Sequence, residues 1–498
     1  MRKYICEGLS EYLALDRKPW HMPGHKRKNY IEETSEEADI NMAAFLALDV
    51  TEVSGTDDLH HPEEMILKSQ QQLSNIYGSL ASFYMVNGST GGILSAIGAV
   101  ADYGKASGRS KIIIARNCHK SVFNAVKLFG LEPVYVEPEY VELEYVESEC
   151  VESECAESKC AELDFRKSED KCKSHIYGAI TLKQIEDVLE ENQHICAVVI
   201  TSPTYEGIVS DVAGIKEMLR TYHIPLIVDE AHGAHLPFLS GVGQLPKSAV
   251  SLGADIVVQS LHKTLPALTQ TAVLHVNEEG LIEGVKKYLS IFMSSSPSYP
   301  MLCSMEQAVV HSQEKKLAAG FDEYLNALRS FRENVSDLKN IKLLGSKAKE
   351  VDGKTPTKEL LLDESRIVLY GNWSGELIAK DLRRLGNIEI EMSGVNYVVL
   401  ISTYMDEPND FTHLERTIKL LDEELDDRDN LWPDKQEIPE GTFSVDELYG
   451  LVGNVAEANI YVYPPGSYIV AAGEEITREA VDKIIALDKA GKKVVWRI

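Results

Sequence analysis

A chain of 498 residues, 44% hydrophobic and with a formal net charge of −28, is long enough for roughly two or three domains around a large core. That acidity excludes the basic footprint of a nucleic-acid binder and opposes anionic membrane surfaces. No apolar run approaches the ~18 residues of a transmembrane helix. The opening stretch MRKYICEGLSEYLALDRK has no long apolar core or small-residue cleavage site. Eight cysteines in a chain of this size do not make a secreted disulfide scaffold, so a soluble cytoplasmic protein is expected.

In chain order, short apolar runs alternate with longer amphipathic ones. The pattern predicts strands at 82–86, 111–115, 133–136, 196–200, 225–228, 255–259 and 272–276. Helices are expected at 91–103, 121–129, 182–190 and 212–222. Such alternation implies an α/β fold, a mostly parallel central sheet covered by helices. Past residue 300 the spacing predicts a long helix over 304–332, then strands at 366–370, 388–391 and 397–402 of a smaller α/β domain. Charged residues over 423–434 read as a linker. A final α+β segment carries the loop YPPGSY and ends on a strand at 494–496. The expected domains are 1–300, 301–425 and 426–498.

One stretch stands apart. Residues 135–164 read YVEPE YVELE YVESE CVESE CAESK CAELD, six tandem pentads with eleven acidic residues and one lysine. Cys150, Cys155 and Cys160 recur every five residues, with Cys172 following. A period of five suits neither a strand face nor a helix face, and the spacing is not that of a zinc site. The expectation is a solvated acidic surface insertion over about 135–173, partly disordered, with no metal bound.

Ligands of a parallel sheet sit beyond the carboxyl ends of its strands, and five expected strands end in reactive groups. They lead into Asn87-Gly88-Ser89-Thr90, Arg116-Asn117-Cys118-His119, Thr201-Ser202-Pro203-Thr204-Tyr205, Asp229-Glu230-Ala231-His232 and Ser260-Leu261-His262-Lys263. Lys263 follows an apolar strand, where a lysine is costly unless its amine is paired or used as a nucleophile. Asp229 can pair with a protonated ring nitrogen. The Gly/Ser/Thr turn at a helix start can cradle a phosphate, and His119 offers a flat ring. Each feature alone has a bland reading: a turn, a surface lysine, a solvated histidine. Together and in this order they fit pyridoxal 5'-phosphate (PLP). Asp229, His232 and His235 also allow a metal cluster, which the set as a whole disfavours.

With HMPGHK at 21–26, TEVSGTDDLHHP at 51–62, VNGSTGG at 86–92, RNCHKS at 116–121, TSPTYEGIVSD at 201–211, VDEAHGAH at 228–235, SLHKTL at 260–265 and YPPG at 463–466, the chain resembles the Orn/Lys/Arg decarboxylase group of fold-type-I PLP enzymes. The likeness spans nearly everything but the pentads and is to the short bacterial members. It implies a cofactor bonded to Lys263, with Asp229 keeping the pyridine nitrogen protonated and His119 stacked on the ring. It further implies a phosphate held by Ser89, Thr90 and Gly91 with Ser260 and His262, and Ala231 and His232 on the opposite ring face. The catalytic residues would be Lys263, His119 and Asp229, acting on a basic amino acid whose distal cation calls for an acid. Asp57, Asp58 and Glu474 are the candidates. The resemblance also implies a homodimer or higher homo-oligomer with sites at the subunit interface, a small-molecule substrate, and no nucleic-acid or membrane partner. Among possible substrates it favours arginine by analogy and places the enzyme in polyamine biosynthesis.

The nearest rival is an aminotransferase, which would share Lys263 and Asp229. Aminotransferases usually clamp the α-carboxylate with an arginine of the small domain, and residues 388–406 contain none, which favours decarboxylation. A non-catalytic metal-binding or interaction protein built around the pentads is the rival of another class.

Overall fold

The computed structural model describes residues 18–20, 57–143, 174–239, 245–296, 298–345, 360–426, 448–456, 460–463, 467–470, 473–489 and 493–495. The motif at 21–26, the first half of that at 51–62 and residues 464–466 of that at 463–466 lie outside them.

Seven strands build the central sheet: β2 (Ala81–Met85), β3 (Lys111–Ala115), β4 (Glu132–Val136), β7 (Ile195–Thr201), β8 (Leu226–Asp229), β9 (Ile256–Gln259) and β10 (Ala272–Val276). Their order is β2-β10-β9-β8-β7-β3-β4. From β9 to β4 every neighbour is parallel; β10 alone runs against both its neighbours. Two antiparallel pairings in succession leave β2 pointing the same way as β9. The sheet is thus mostly parallel, as the apolar runs imply. β8, β9 and β10 are buried at every position, as expected for strands covered on both faces. A fully buried Ile or Val in such a strand contributes about 1.5–3 kcal/mol.

Helix Gly88–Ala106 lies across β7, β9 and β10 and against helix Glu279–Phe292. Small residues let it come this close. A Cβ on Gly92 would fall 2.7 Å from the Met85 side chain and 2.9 Å from Val258 Cγ1. The start of this helix is thereby pressed onto the end of β9.

A second, antiparallel sheet has the order β11-β12-β15-β14, where β11 is Ile341–Leu343, β12 Arg366–Gly371, β14 Met392–Ser393 and β15 Tyr397–Ile401. β13 (Ile388–Ile390), expected in this sheet, instead pairs in parallel with β1 (Lys18–Trp20). The segment entering β12 is stitched to the loop after β7: Val209 N donates to Leu361 O at 2.9 Å and Asp363 N to Gly207 O at 2.8 Å. A third sheet, β17-β16-β18, joins β16 (Ile460–Tyr463), β17 (Ser467–Val470) and β18 (Lys493–Val495).

Three local expectations change. The long helix over 304–332 is two helices, Tyr299–Leu317 and Asp322–Asn334; between them Ala319 takes φ +52° and Gly320 follows, a break the helical spacing hides. The charged stretch at 423–434 begins as helix, since Pro408–Asp426 continues into it. The pentad stretch is not all solvated. β5 (Tyr140–Leu143) pairs antiparallel with β6 (Ser174–Tyr177), and Leu143 joins a buried cluster with Ile176, Ile208, Val368 and Val399. In YVEL the alternation of apolar and acidic residues acts as a strand pattern. The rest of the repeat, with Cys150, Cys155, Cys160 and Cys172, lies outside the described residues. No helix among the described residues is long and apolar enough to cross a membrane.

Candidate active site

β7, β8 and β9 finish level, with Thr201 opposite Asp229 and Asp229 opposite Val258. Asp229 closes β8, is buried, and accepts a hydrogen bond at Oδ1 from Ala231 N (3.2 Å). Burial raises its carboxyl pKa, while Lys263 and the Ala231 N–H oppose the rise.

After β9 the chain makes one helical turn, Leu261–Thr264, before reversing into β10. Leu261 N donates to Thr271 O at 3.1 Å, and His262 Nδ1 donates to the same carbonyl at 2.9 Å. That double anchor turns Lys263 back over the strand ends, where its Nζ lies 3.0 Å from His232 Nε2. Burial pushes the Lys263 amine down to about 8; Asp229 and Glu391 work against this and Arg366 adds to it.

The His232 contact has a direction. Arg366 Nη2 reaches His232 Nδ1 at 3.2 Å and the His232 carbonyl at 2.8 Å. A guanidinium only donates, so Nδ1 accepts. Burial, Lys263 and Arg366 hold the imidazole pKa well below its usual value, so the ring is neutral and its proton sits on Nε2. That N–H points at Lys263 Nζ, which accepts it once the amine is neutral, above its midpoint of about 8. The arrangement presents a nucleophile rather than a counter-ion.

His119 caps helix Lys120–Phe129. Its Nδ1 accepts from Ser121 N (3.2 Å) and lies 2.8 Å from Ser121 Oγ, which fixes the ring. Burial takes its pKa down to about 4, with Lys263 and Lys120 contributing. Burial does the same to His262, also to about 4, against the Thr271 carbonyl.

Because β2 and β9 run the same way on either side of β10, helix Gly88–Ala106 starts at the same end of the sheet as Ser260. Ser89, Thr90 and Gly91 form its first turn, and a Cβ on Gly88 would lie 3.9 Å from Gln270 O. Among the described residues Ser260 Oγ is buried without a hydrogen-bond partner. A hydroxyl left unsatisfied at the sheet end where a helix begins suits an anion.

Two participants escaped the sequence reading. Arg366 opens β12 and is fully buried, with Nε and Nη1 lacking hydrogen-bond partners among the described residues. It packs against the loop after β7, where a Cβ on Gly207 would meet its side chain at 2.7 Å. The small sheet therefore does deliver an arginine, from outside residues 388–406, and the case against an aminotransferase built on that stretch fails. Glu391 accepts a hydrogen bond from the Tyr205 hydroxyl, and the Tyr205 ring lies 4.5 Å from that of His232. A polar residue opening or interrupting an apolar run (RIVLYG, IEIEMSG) was the available signal.

The three expected substrate acids are placed differently. Asp57 is buried, and its two oxygens accept the backbone N–H groups of Asp58, Glu63, Glu64 and Ile66; it caps helix Met65–Tyr77. Asp58 accepts from His60 N and pairs with His61. Glu474 takes Arg116 Nη1 on both oxygens at 2.7 and 2.9 Å. Asp229, His232 and His235 do not converge: His235 pairs with Asp363 while His232 faces Lys263. Among the described residues no group of three or more His, Cys, Asp or Glu is placed to hold a metal ion.

A family model described as the major domain of Orn/Lys/Arg decarboxylases matches residues 5–365. The uncharacterized Bacillus subtilis protein YaaO is 31% identical over 98% of this chain and 94% of its own length. A Bacillus subtilis arginine decarboxylase is 28% identical over the same shares. Among solved structures, the Francisella novicida lysine decarboxylase LdcF matches with a TM-score of 0.65 at 17% identity, over 99% of this chain and 81% of its own. The Escherichia coli constitutive lysine decarboxylase gives 0.61 at 18%, over 91% and 73%. At these identities the two structures speak for the fold.

Proposed function

The chain belongs to the Orn/Lys/Arg decarboxylase family, and we propose that it removes the α-carboxylate of a basic amino acid, arginine ahead of lysine or ornithine, with PLP held at Lys263. The observation that carries this reading is the buried Lys263 amine, its Nζ 3.0 Å from His232 Nε2 at the strand ends where Asp229 is buried.

The residues present fit the cofactor. Ser260 Oγ, unsatisfied among the described residues, lies at the sheet end where the helix turn of Ser89, Thr90 and Gly91 begins, and with His262 these groups would seat the phosphate. Asp229 suits a protonated ring nitrogen, His119 one ring face, and Ala231 and His232 the other. Bound PLP supplies a conjugated ring that draws off the electron pair left when CO2 departs.

The protein's own work is orientation and proton handling. Arg366 presents Nε and Nη1 to the substrate carboxylate, a charge-assisted contact available because only its Nη2 is engaged with His232. Asp229 would hold a proton on the ring nitrogen of bound PLP. The proton returned to Cα comes from Lys263 Nζ or His232 Nε2, which already face one another. Glu391, which acts electrostatically on both Lys263 and His262, is the acid for the distal cation. Arginine leads because the Bacillus subtilis relative with a stated activity is an arginine decarboxylase. The same reading takes the working unit to be a homo-oligomer, in which Asp58 and Glu474 serve a neighbouring site.

The purified full chain with PLP, given arginine, lysine and ornithine separately, tests the proposal. Carbon dioxide and the matching amine should appear in equal amounts from arginine, with no keto acid needed. Product formed only when a keto acid is supplied would make the aminotransferase reading correct instead.

A further inference from the structure

Beneath the reactive residues lies a buried acid that the chemistry above does not use. Glu230 follows Asp229 directly, yet its side chain turns away from Lys263 and into the protein. Its Oε2 accepts from Ser248 Oγ and from Gln259 Nε2, each at 2.6 Å, and its Oε1 accepts from Ala249 N at 2.7 Å. Its backbone N–H donates to Val258 O at 3.0 Å. All three side-chain partners are neutral donors. The room is tight, since a Cβ on Gly233 would fall 2.6 Å from Glu230 Cγ.

What these contacts join matters. Residues 248–249 begin the turn that leads into β9. Gln259 ends β9 and is followed by Ser260, the orphaned hydroxyl of the phosphate seat, and then by the turn that carries Lys263. Above its midpoint of about 7 the carboxylate can only accept, so Gln259 then directs its NH2 toward Glu230, and among the described residues its Oε1 is buried without a partner. One side chain thus sets the amide orientation at the last position of β9 and ties that position to the end of β8.

We propose that Glu230 is a positioning residue: its buried carboxylate clamps the turn at 248–249 and Gln259 together, and so holds Ser260 and Lys263 in place against Asp229. The inference rests on the reading of Lys263 as the PLP lysine. It adds that alignment of the seat is set from below by an acceptor that touches neither cofactor nor substrate. Burial pushes the Glu230 carboxyl up to about 7, against its three hydrogen bonds and with Asp363 adding to the rise. The clamp therefore depends on these donors alone.

The test uses the full chain and two readouts, the dissociation constant for PLP by fluorescence titration and steady-state decarboxylation. Glu230→Gln turns an NH2 onto one of the three donors. It should weaken PLP binding and lower kcat by about tenfold each, with KM for the amino acid nearly unchanged. Exchanging the pair, Glu230→Gln with Gln259→Glu, restores one acceptor facing one donor and should recover both quantities to within about threefold of the parent. A general loss of packing would not be repaired by that exchange. If Glu230→Gln does not fold, Ser248→Ala removes one donor and should weaken PLP in the same direction by about threefold. The inference is overturned if either single variant binds PLP and turns over as the parent does, or if the exchange recovers nothing. Failure of the parent chain to bind PLP would instead defeat the functional reading itself.

Discussion

The ends of β7, β8 and β9 and the opening of β12 meet around Lys263, but they supply it differently. The large sheet delivers its groups through local turns: a strand ends, and within four residues Asp229, His232, Ser260 or Lys263 is in place. The small sheet delivers Arg366 and Glu391 from more than a hundred residues further along the chain. It depends on the stitching of residues 361–363 to 207–209 to bring them in. In the proposed reading the first region carries the reagents, and the second orients and discriminates. That reading writes reaction type into short motifs and makes substrate recognition depend on how two sheets are docked.

The comparison breaks most readily at Arg366. Replacing it by Met removes the donor that fixes the His232 tautomer and the two nitrogens offered to a carboxylate. A fall in kcat/KM of about a hundredfold is expected, the size of a lost buried charged contact. Steady-state kinetics that leave this variant within twofold of the parent would separate the small sheet from the chemistry.

Glu391→Gln sharpens the other half of the division. It should cost about tenfold in kcat/KM and change the ratio among arginine, lysine and ornithine, with PLP affinity unaltered. Equal losses on all three substrates would remove Glu391 from recognition.

On the large-sheet side the prediction concerns pH. With a Lys263 midpoint of about 8, the amine is protonated below that value and cannot accept the His232 N–H or attack a carbonyl. Capture of PLP by the cofactor-free protein, followed by absorbance, should speed up by about tenfold per pH unit below 8 and level off above it. A rate that falls as pH rises through 8 would contradict the tautomer assignment.

The smallest effect belongs to Asp57, which serves neither region. Asp57→Asn should lower stability by about 1–2 kcal/mol, because its NH2 would face two of the backbone N–H groups that the carboxylate accepts; this is read as a lower Tm, with substrate preference unchanged. A changed preference would return Asp57 to the substrate pocket.

What was legible in the sequence follows the same division. The strands of the central sheet were readable because a strand buried on both faces is a short unbroken apolar run, as in ICAVVIT and LIVD. The order of Thr90, His119, Asp229 and Lys263 was readable because each stands at a strand end. Arg366 was hidden because an arginine at the start of RIVLYG looks like an ordinary solvated strand terminus. Only tertiary packing shows that it is buried. Asp57 misled for the opposite reason. A carboxylate near a histidine pair suggests recognition, but the backbone N–H groups of Asp58, Glu63, Glu64 and Ile66 claim it first. The helix over 304–332 was drawn through Ala319 and Gly320 because its apolar spacing continues across the break.

Everything turns on which lysine carries the cofactor. The protein saturated with PLP, reduced with borohydride and digested, should yield one peptide bearing the cofactor mass, with the modification on Lys263. Modification centred on a different lysine, or a folded protein that retains no PLP after reduction, would contradict the account.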